Sequence, residues 1–519
     1  MFGSFIRLVP AFVLVVSLGC ADGSAPDASG SEWPLASADL SPVSDSLPEA
    51  DTASSEGVSA SVDSDVIEGA APLAEGSANA DPAAAVGDAP SPVLPTPREF
   101  SDFPDARFPR PEHVRGIYVN AWAAGSNARM TELIGLARRT EVNAFVIDIK
   151  DASGYVSHRT EVPLAVEIGA TEERRIRDLP ALLDRLRAEG IYPIARIVVV
   201  KDPILSKSRP EFAVQDTAGG VWIDSKDIIW LNPFSEGMWA YPVALAREVA
   251  EMGFPEIQWD YIRFPDAPQS DMERAVFVGS EGRERVDAIR GFLSFAREEL
   301  SDLPVRSTVD VFGVTTSFRR DVGIGQLWET FIDVVDVALP MVYPSHYWEG
   351  SFSIDEPNAY PYEIVRRALQ DAVRRSTPVA GAGLTRPWLQ DFSLGQPIYS
   401  GAEVRAQIQA TYDAGIQEWV LWNASSRYTE SALEPIGGFE REPLMRVAGV
   451  LAPVSRRQEV IDSVAALPLP QPESVVVESV AVDSVSVDSR AGDSAIGGSV
   501  LRDSLVVDMS ADTVRRPRH

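Results

Sequence analysis

Between residues 114 and 428, short runs of β-branched and aromatic residues alternate with stretches of helical period, and no other feature constrains the fold as strongly. The runs fall at residues 116–120, 144–150, 192–199, 257–262, 306–311, 337–343, 378–382 and 418–422. Between them, residues 130–140, 179–189, 238–252, 283–300, 362–375 and 401–414 repeat their apolar side chains every three or four positions, which buries one face of a helix. Repeated βα units build a parallel sheet covered by helices. Eight of them close into a (β/α)8 TIM barrel, an α/β fold. A doubly wound open sheet is the alternative, but no run is followed by Gly-x-Gly-x-x-Gly or a P-loop, the phosphate-cradling turns of nucleotide-binding sheets.

Composition confines the barrel to residues 106–454. The preceding segment, residues 21–105, reads as a disordered acidic linker: residues 21–100 hold fifteen Asp and Glu against the single Arg98, with Trp33 and Phe100 their only aromatics. Such a segment cannot bury a core. Residues 455–519 contain no aromatic side chain and repeat Val, Ser and Asp, as in Glu478-Ser-Val-Ala-Val-Asp483, and read as a disordered tail. Ten of the eleven tryptophans lie between Trp122 and Trp422. A net charge of −30 offers no basic footprint for nucleic acid. The histidines His113, His158, His346 and His519 fit no metal-ligand spacing, so neither a metal nor a cofactor is expected.

Residues 1–20 carry one positive charge, Arg7, and then an apolar stretch from Leu8 to Leu18 that is too short to span a bilayer and reads as a signal peptide. Its end, Val16-Ser17-Leu18-Gly19-Cys20, resembles a bacterial lipobox, with Ser17 where Leu is usual. Lipidation of Cys20 would anchor the chain to the bacterial cell envelope. Ala21 and Asp22 do not resemble an inner-membrane retention signal, which points to the outer membrane or cell surface where the host has one; without lipidation the chain would be secreted. Cys20 is the one cysteine, so no intrachain disulfide is possible.

Polar and aromatic side chains crowd towards the carboxyl ends of the runs, where barrel active sites form. Asp148 and Lys150 end the second run, Arg196 lies in the third, Asp260 and Arg263 close the fourth, Asp310 the fifth and Tyr343 the sixth. His346, Trp388 and Trp422 follow the sixth, seventh and eighth. Period-two alternation puts Gln258 with Asp260, and Thr308 with Asp310, on one face of their runs, so both acids are expected to point into the barrel mouth. Cleaving a glycosidic bond takes two such acids, one to protonate the leaving oxygen and one to attack or stabilise the oxocarbenium ion. Asp148, Lys150, Arg196 and Arg263 would bind substrate or tune the acids, and Tyr343, His346, Trp388 and Trp422 offer ring faces to sugars. Each has a plainer reading: Asp260 as an ion-pair partner of Arg263 or Arg196, Asp310 as a turn cap, Asp148 and Lys150 as a salt-bridged strand end, the rings as core. A Ser/His/Asp hydrolase is disfavoured because the chain lacks a Gly-x-Ser-x-Gly elbow.

Eight blocks occur in order: Arg115-Gly-Ile-Tyr-Val119, Val146-Ile-Asp-Ile-Lys-Asp-Ala-Ser-Gly154, Ile194-Ala-Arg-Ile-Val-Val199 with Lys201-Asp-Pro203, Gln258-Trp-Asp-Tyr-Ile-Arg-Phe-Pro265, Asp310-Val-Phe-Gly313, Pro340-Met-Val-Tyr-Pro-Ser-His-Tyr347, Arg386-Pro-Trp-Leu-Gln-Asp391 and Leu421-Trp-Asn-Ala424. Over residues 114–428 the sequence resembles the glycoside hydrolase domain family DUF4015, a TIM-barrel relative of the α-amylase and α-galactosidase superfamilies. The resemblance implies Asp260 as nucleophile and Asp310 as general acid, a position where related barrels often carry Glu. It also implies an oligosaccharide or polysaccharide substrate. The expected protein is a monomeric, membrane-anchored glycoside hydrolase or transglycosylase of a surface or exported polysaccharide. A catalytically inert glycan-binding lipoprotein is the alternative, and the two acids at matching phases favour the enzyme.

Overall fold

The computed structural model describes residues 107–467; the expectations for the signal peptide, Cys20 and the linker lie outside them, as does the tail beyond residue 467. The barrel strands are β1 (Arg115–Val119), β2 (Ala144–Lys150), β3 (Tyr192–Val198), β4 (Glu256–Asp260), β5 (Arg306–Phe312), β6 (Val337–Met341), β7 in two pieces (Leu384–Thr385 and Trp388–Gln390) and β8 (Trp419–Trp422). Each pairs in parallel with its sequence neighbour. Pairing of β1 with β8 closes the ring. Helices α1 (Asn127–Arg139), α2 (Leu179–Ala188), α3 (Ala240–Met252), α4 (Arg285–Glu299), α5 (Trp328–Phe331), α6 (Pro361–Ser376) and α7 (Gly401–Asp413) fill the crossovers.

Strands β2 and β3 form where the sequence is mostly β-branched and apolar. Every residue of β2 and β3 is buried, as expected of strands covered on both faces. On α6, Ile364, Val365, Ala368, Leu369 and Ala372 are buried, the one-sided pattern of a helix lying on a sheet. Asp178 caps the N-terminus of α2, and a capping box from Ser400 and Glu403 starts α7; both motifs satisfy amide hydrogens that a helix start leaves unpaired.

Two departures from the expected pattern have physical causes. Residues 378–382 are not a strand but the turn after α6. The seventh strand lies a few residues further on and is split, because Pro387 has no N–H to give a ladder. Regular structure also continues past residue 454. A hairpin, Leu444–Val447 with Val450–Pro453, leads into α8 (Arg457–Ala465), and Arg457 forks onto Asp413 of α7 at 2.5 and 2.8 Å.

At the amino-terminal end of the barrel, Arg386 is wholly buried and bridges Glu256, which opens β4, at 2.6 Å and Glu418, just before β8, at 2.9 Å. Arg110 completes the pairing of Glu418. These charges seal the floor of the barrel, opposite the strand ends that carry the candidate site.

Candidate active site at the barrel mouth

Alternation along β4 decides which side chains enter the barrel. The Trp259 indole points outward, donating to Ser307 Oγ at 2.9 Å and packing edge-on against Phe292 of α4 at 5.3 Å. Its neighbours Gln258 and Asp260 therefore point inward. Gln258 Nε2 donates to Asp310 Oδ2 at 3.0 Å, and Trp388 Nε1 from β7 donates to Asp310 Oδ1 at 2.7 Å. Arg196 on β3 donates through Nε to Asp260 Oδ2 at 2.9 Å and through Nη1 to Asp148 Oδ1 at 2.5 Å. The Tyr118 hydroxyl, from β1, donates to the other oxygen of Asp148. A chain of charges, Asp148 to Arg196 to Asp260, thus spans the ends of β2, β3 and β4.

Rings wall the opposite side. Trp422 stacks on Tyr118 at 4.1 Å, Trp388 meets Trp422 edge-on at 5.4 Å, and the Arg196 guanidinium lies over the Tyr118 and Trp422 rings at 5.4 and 5.3 Å. Tyr261, directly after Asp260, has φ +50°, in the left-handed region that a bulky residue seldom adopts. That turn aims its amide back at Asp260 Oδ1, 2.5 Å away. Strained backbone of this kind collects at functional sites.

Asp260, Tyr261, Arg263, Asp310, Phe312, Gln326 and Met341 line one small pocket. Through Phe312 and Met341 it adjoins a wider cleft of about 210 Å³, walled by Asp266, Tyr343, His346, Tyr347 and Trp348. Burial first, and then the charge of Asp260, push the Asp310 carboxyl well above the usual carboxylate range, against the opposing pull of Arg196, Trp388 and Gln258. Asp310 thereby favours its neutral form more than an exposed carboxyl group does, beside Asp260, which Arg196 clamps. Burial, with Asp310 and Asp260 nearby, likewise pushes the Tyr343 phenol up, so it remains a hydrogen-bond donor. Burial lowers the His346 imidazole to about 4, which keeps that ring neutral near pH 7.

Of the residues singled out from sequence, Asp148, Arg196, Asp260, Asp310, Trp388 and Trp422 meet in one hydrogen-bonded and stacked cluster, and Arg263 shares the acids' pocket. Tyr343 and His346 line the cleft next door. Lys150 does not join them. The ladder slips between Asp148 and Lys150, and a bulge of this kind breaks the period-two rule that would put both on one face. Lys150 is instead buried on Asp202 at 2.7 Å, with its ammonium 5.8 Å from the Tyr241 ring of α3. Sequence reasoning missed Tyr118 and Trp348. The alternation of β1, Gly116-Ile-Tyr118, carried the signal for Tyr118; Trp348 lies in a loop, where no period applies. Asp391, after β7, is pushed by burial to about 6, but it accepts from Thr429 N and Oγ1 at 2.8 and 2.7 Å and ties the last two strand loops together.

A closed parallel barrel with inward carboxyl groups on adjacent strand ends, walled by indoles, defines the architectural class of the (β/α)8-barrel glycoside hydrolases. The chain belongs to the DUF4015 family, whose model, described as "putative glycosyl hydrolase domain", matches residues 116–428, more than half of its length. That family implies a carbohydrate substrate. Among solved structures the chain is similar to a hypothetical protein from Ruminiclostridium thermocellum, at 38% identity over 37% of this chain and 96% of the other, with TM-score 0.34. It is also similar to the glycoside hydrolase domain of PgaB from Bordetella bronchiseptica, at 14% identity over 60% of this chain and 95% of the other, with TM-score 0.44. A third similarity is to an α-galactosidase from Thermus thermophilus, at 14% identity over 61% of this chain and 59% of the other, with TM-score 0.36. No curated protein matches the sequence.

Proposed function

We propose that the protein is a lipid-anchored glycoside hydrolase or transglycosylase that cleaves O-glycosyl bonds in a surface or exported polysaccharide at the bacterial cell envelope. The observation that carries this reading is the unlike setting of two neighbouring acids: Asp310 is buried with its carboxyl pushed well above the usual range, while Asp260 is clamped by Arg196 in the same pocket. Unlike environments for paired carboxyl groups divide the roles of acid and nucleophile. Asp310 gives its proton to the glycosidic oxygen as the bond to the leaving sugar breaks. Asp260 attacks the anomeric carbon, and water then hydrolyses the ester, with Asp310 taking the proton back. Arg196 and the Tyr261 amide hold the Asp260 oxygens in place. Trp388 does the same for Asp310. The anchoring half of the reading rests on Cys20 alone.

The test is reducing-sugar release by the full-length protein across a panel of polysaccharides and aryl glycosides. Asp260→Asn should remove nearly all turnover while preserving affinity, because it removes an interaction realised in the transition state. Asp310→Asn should lose turnover on natural linkages and recover part of it on aryl glycosides, whose leaving groups need less protonation. Wild-type turnover by Asp260→Asn on a confirmed substrate would overturn the mechanism. Glycan binding without any cleavage would leave an inert binding module.

A further inference from the structure

The mechanism above gives Arg263 no task, yet its setting is unlike that of any comparably buried arginine in the barrel. Arg175, Arg196, Arg386 and Arg405 are all buried, and each lies within 3.1 Å of a carboxylate. Arg263 is 4% exposed, and among the described residues no carboxylate lies within 4.0 Å of it. Its Nη1 donates to the Phe264 carbonyl at 3.1 Å. Otherwise the guanidinium is caged by the rings of Phe312, Trp230 and Tyr261, at 4.7, 4.9 and 5.3 Å. Rings attract a cation through their quadrupoles but accept little of its hydrogen bonding, and a guanidinium carries five N–H donors. A buried cation without an anion is costly.

Arg263 also lines the narrow pocket of Asp260 and Asp310, which adjoins the wider cleft through Phe312 and Met341, so a substituent reaching in from a ligand in that cleft can supply what the protein does not.

We propose that the sugar bound beside Asp260 and Asp310 carries an anionic substituent, a uronate carboxylate or a sulfate ester, and that Arg263 receives it. A planar fork matches either group bidentately. The inference rests on the hydrolase reading and names its substrate class, an acidic polysaccharide.

The experiment applies full-length wild type, Arg263→Met and Arg263→Lys to an array of neutral, uronate-bearing and sulfated glycans, scoring binding and reducing-end release. The net charge of −30 disfavours non-specific capture of polyanions. Wild type should bind anionic glycans and lose at least about tenfold in affinity when they are carboxyl-reduced or desulfated, the scale of one charge-assisted pair. Loss on carboxyl reduction identifies a uronate; loss on desulfation identifies a sulfate. Arg263→Met should erase the discrimination, and Arg263→Lys, which keeps the charge but not the fork, should retain part of it. The comparison of modified glycans on wild type needs no variant to fold. Preference for neutral glycans, no binding to any anionic glycan, or discrimination unchanged in both variants would overturn the proposal. Cleavage of neutral glycans would sink this inference and leave the hydrolase standing, whereas anionic glycans bound but never cleaved would do the reverse.

Discussion

Replacing Asp310 with Asn should make the protein more stable near neutral pH and inactive on natural linkages. The substitution keeps the shape of the side chain and removes its titration. Gln258, whose Oε1 is buried without a hydrogen-bond partner, can turn its amide to accept from the new one. In the fold, burial and Asp260 raise the Asp310 carboxyl well above its ordinary value; in the unfolded chain it returns to about 3.9. Between those two values the folded protein holds one proton more than the unfolded chain. Wild-type stability therefore falls as pH rises through that window, by up to about 1.4 kcal/mol per pH unit. Below the unfolded value the contribution is fully present, and above the folded value its loss is complete. Asp260 is coupled to Asp310, so the difference between the two stability curves reports that pair, while the remaining carboxyl groups titrate in both proteins. Urea unfolding followed by tryptophan fluorescence, repeated from acid to neutral pH, measures it. Parallel curves, or a variant less stable than wild type at neutral pH, would mean that Asp310 is an anchored carboxylate and not a proton donor.

Arg386→Met should cost about 3–5 kcal/mol, because it leaves Glu256 buried without its cation; the same unfolding assay checks it, and an unchanged midpoint would refute the floor's role. Tyr118→Phe removes the hydroxyl that Asp148 accepts, which should cost about 1.5–3 kcal/mol of stability and lower kcat more than it changes KM. Steady-state kinetics on a confirmed substrate decides the second point. Growth with labelled palmitate should label the full-length protein and not Cys20→Ala; a Cys20→Ala protein equally membrane-bound would show that something else holds it there.

The barrel was legible because seven of its eight strands coincide with apolar or alternating runs separated by helical periods, and inward phase on β4 and β5 followed from alternation alone. Legibility failed where a single backbone event cancels the period. Pro387 divides β7, so residues 388–390 pass for a loop, and the apolar residues 378–382 took their place. The slip after Asp148 sends Lys150 behind the sheet although its spacing matches an inward residue. Composition gave no sign of α8, which is held by the Arg457–Asp413 pair and not by aromatic core. Arg263 could be flagged as a strand-end charge, but its cage adds to the nearby Tyr261 two rings remote in sequence, Trp230 and Phe312, and no local spacing encodes that.

An arginine shared by two carboxylates has a consequence for turnover. In the mechanism we propose, Asp260 loses its charge on becoming a glycosyl ester, and a guanidinium paired with it alone would be stranded in the barrel. Arg196 keeps Asp148 as a standing counter-ion, 2.5 Å away and itself fixed by Tyr118. The barrel interior then passes through the covalent state with its cation still matched, and when water frees Asp260 the clamp re-forms without any charge having to enter or leave.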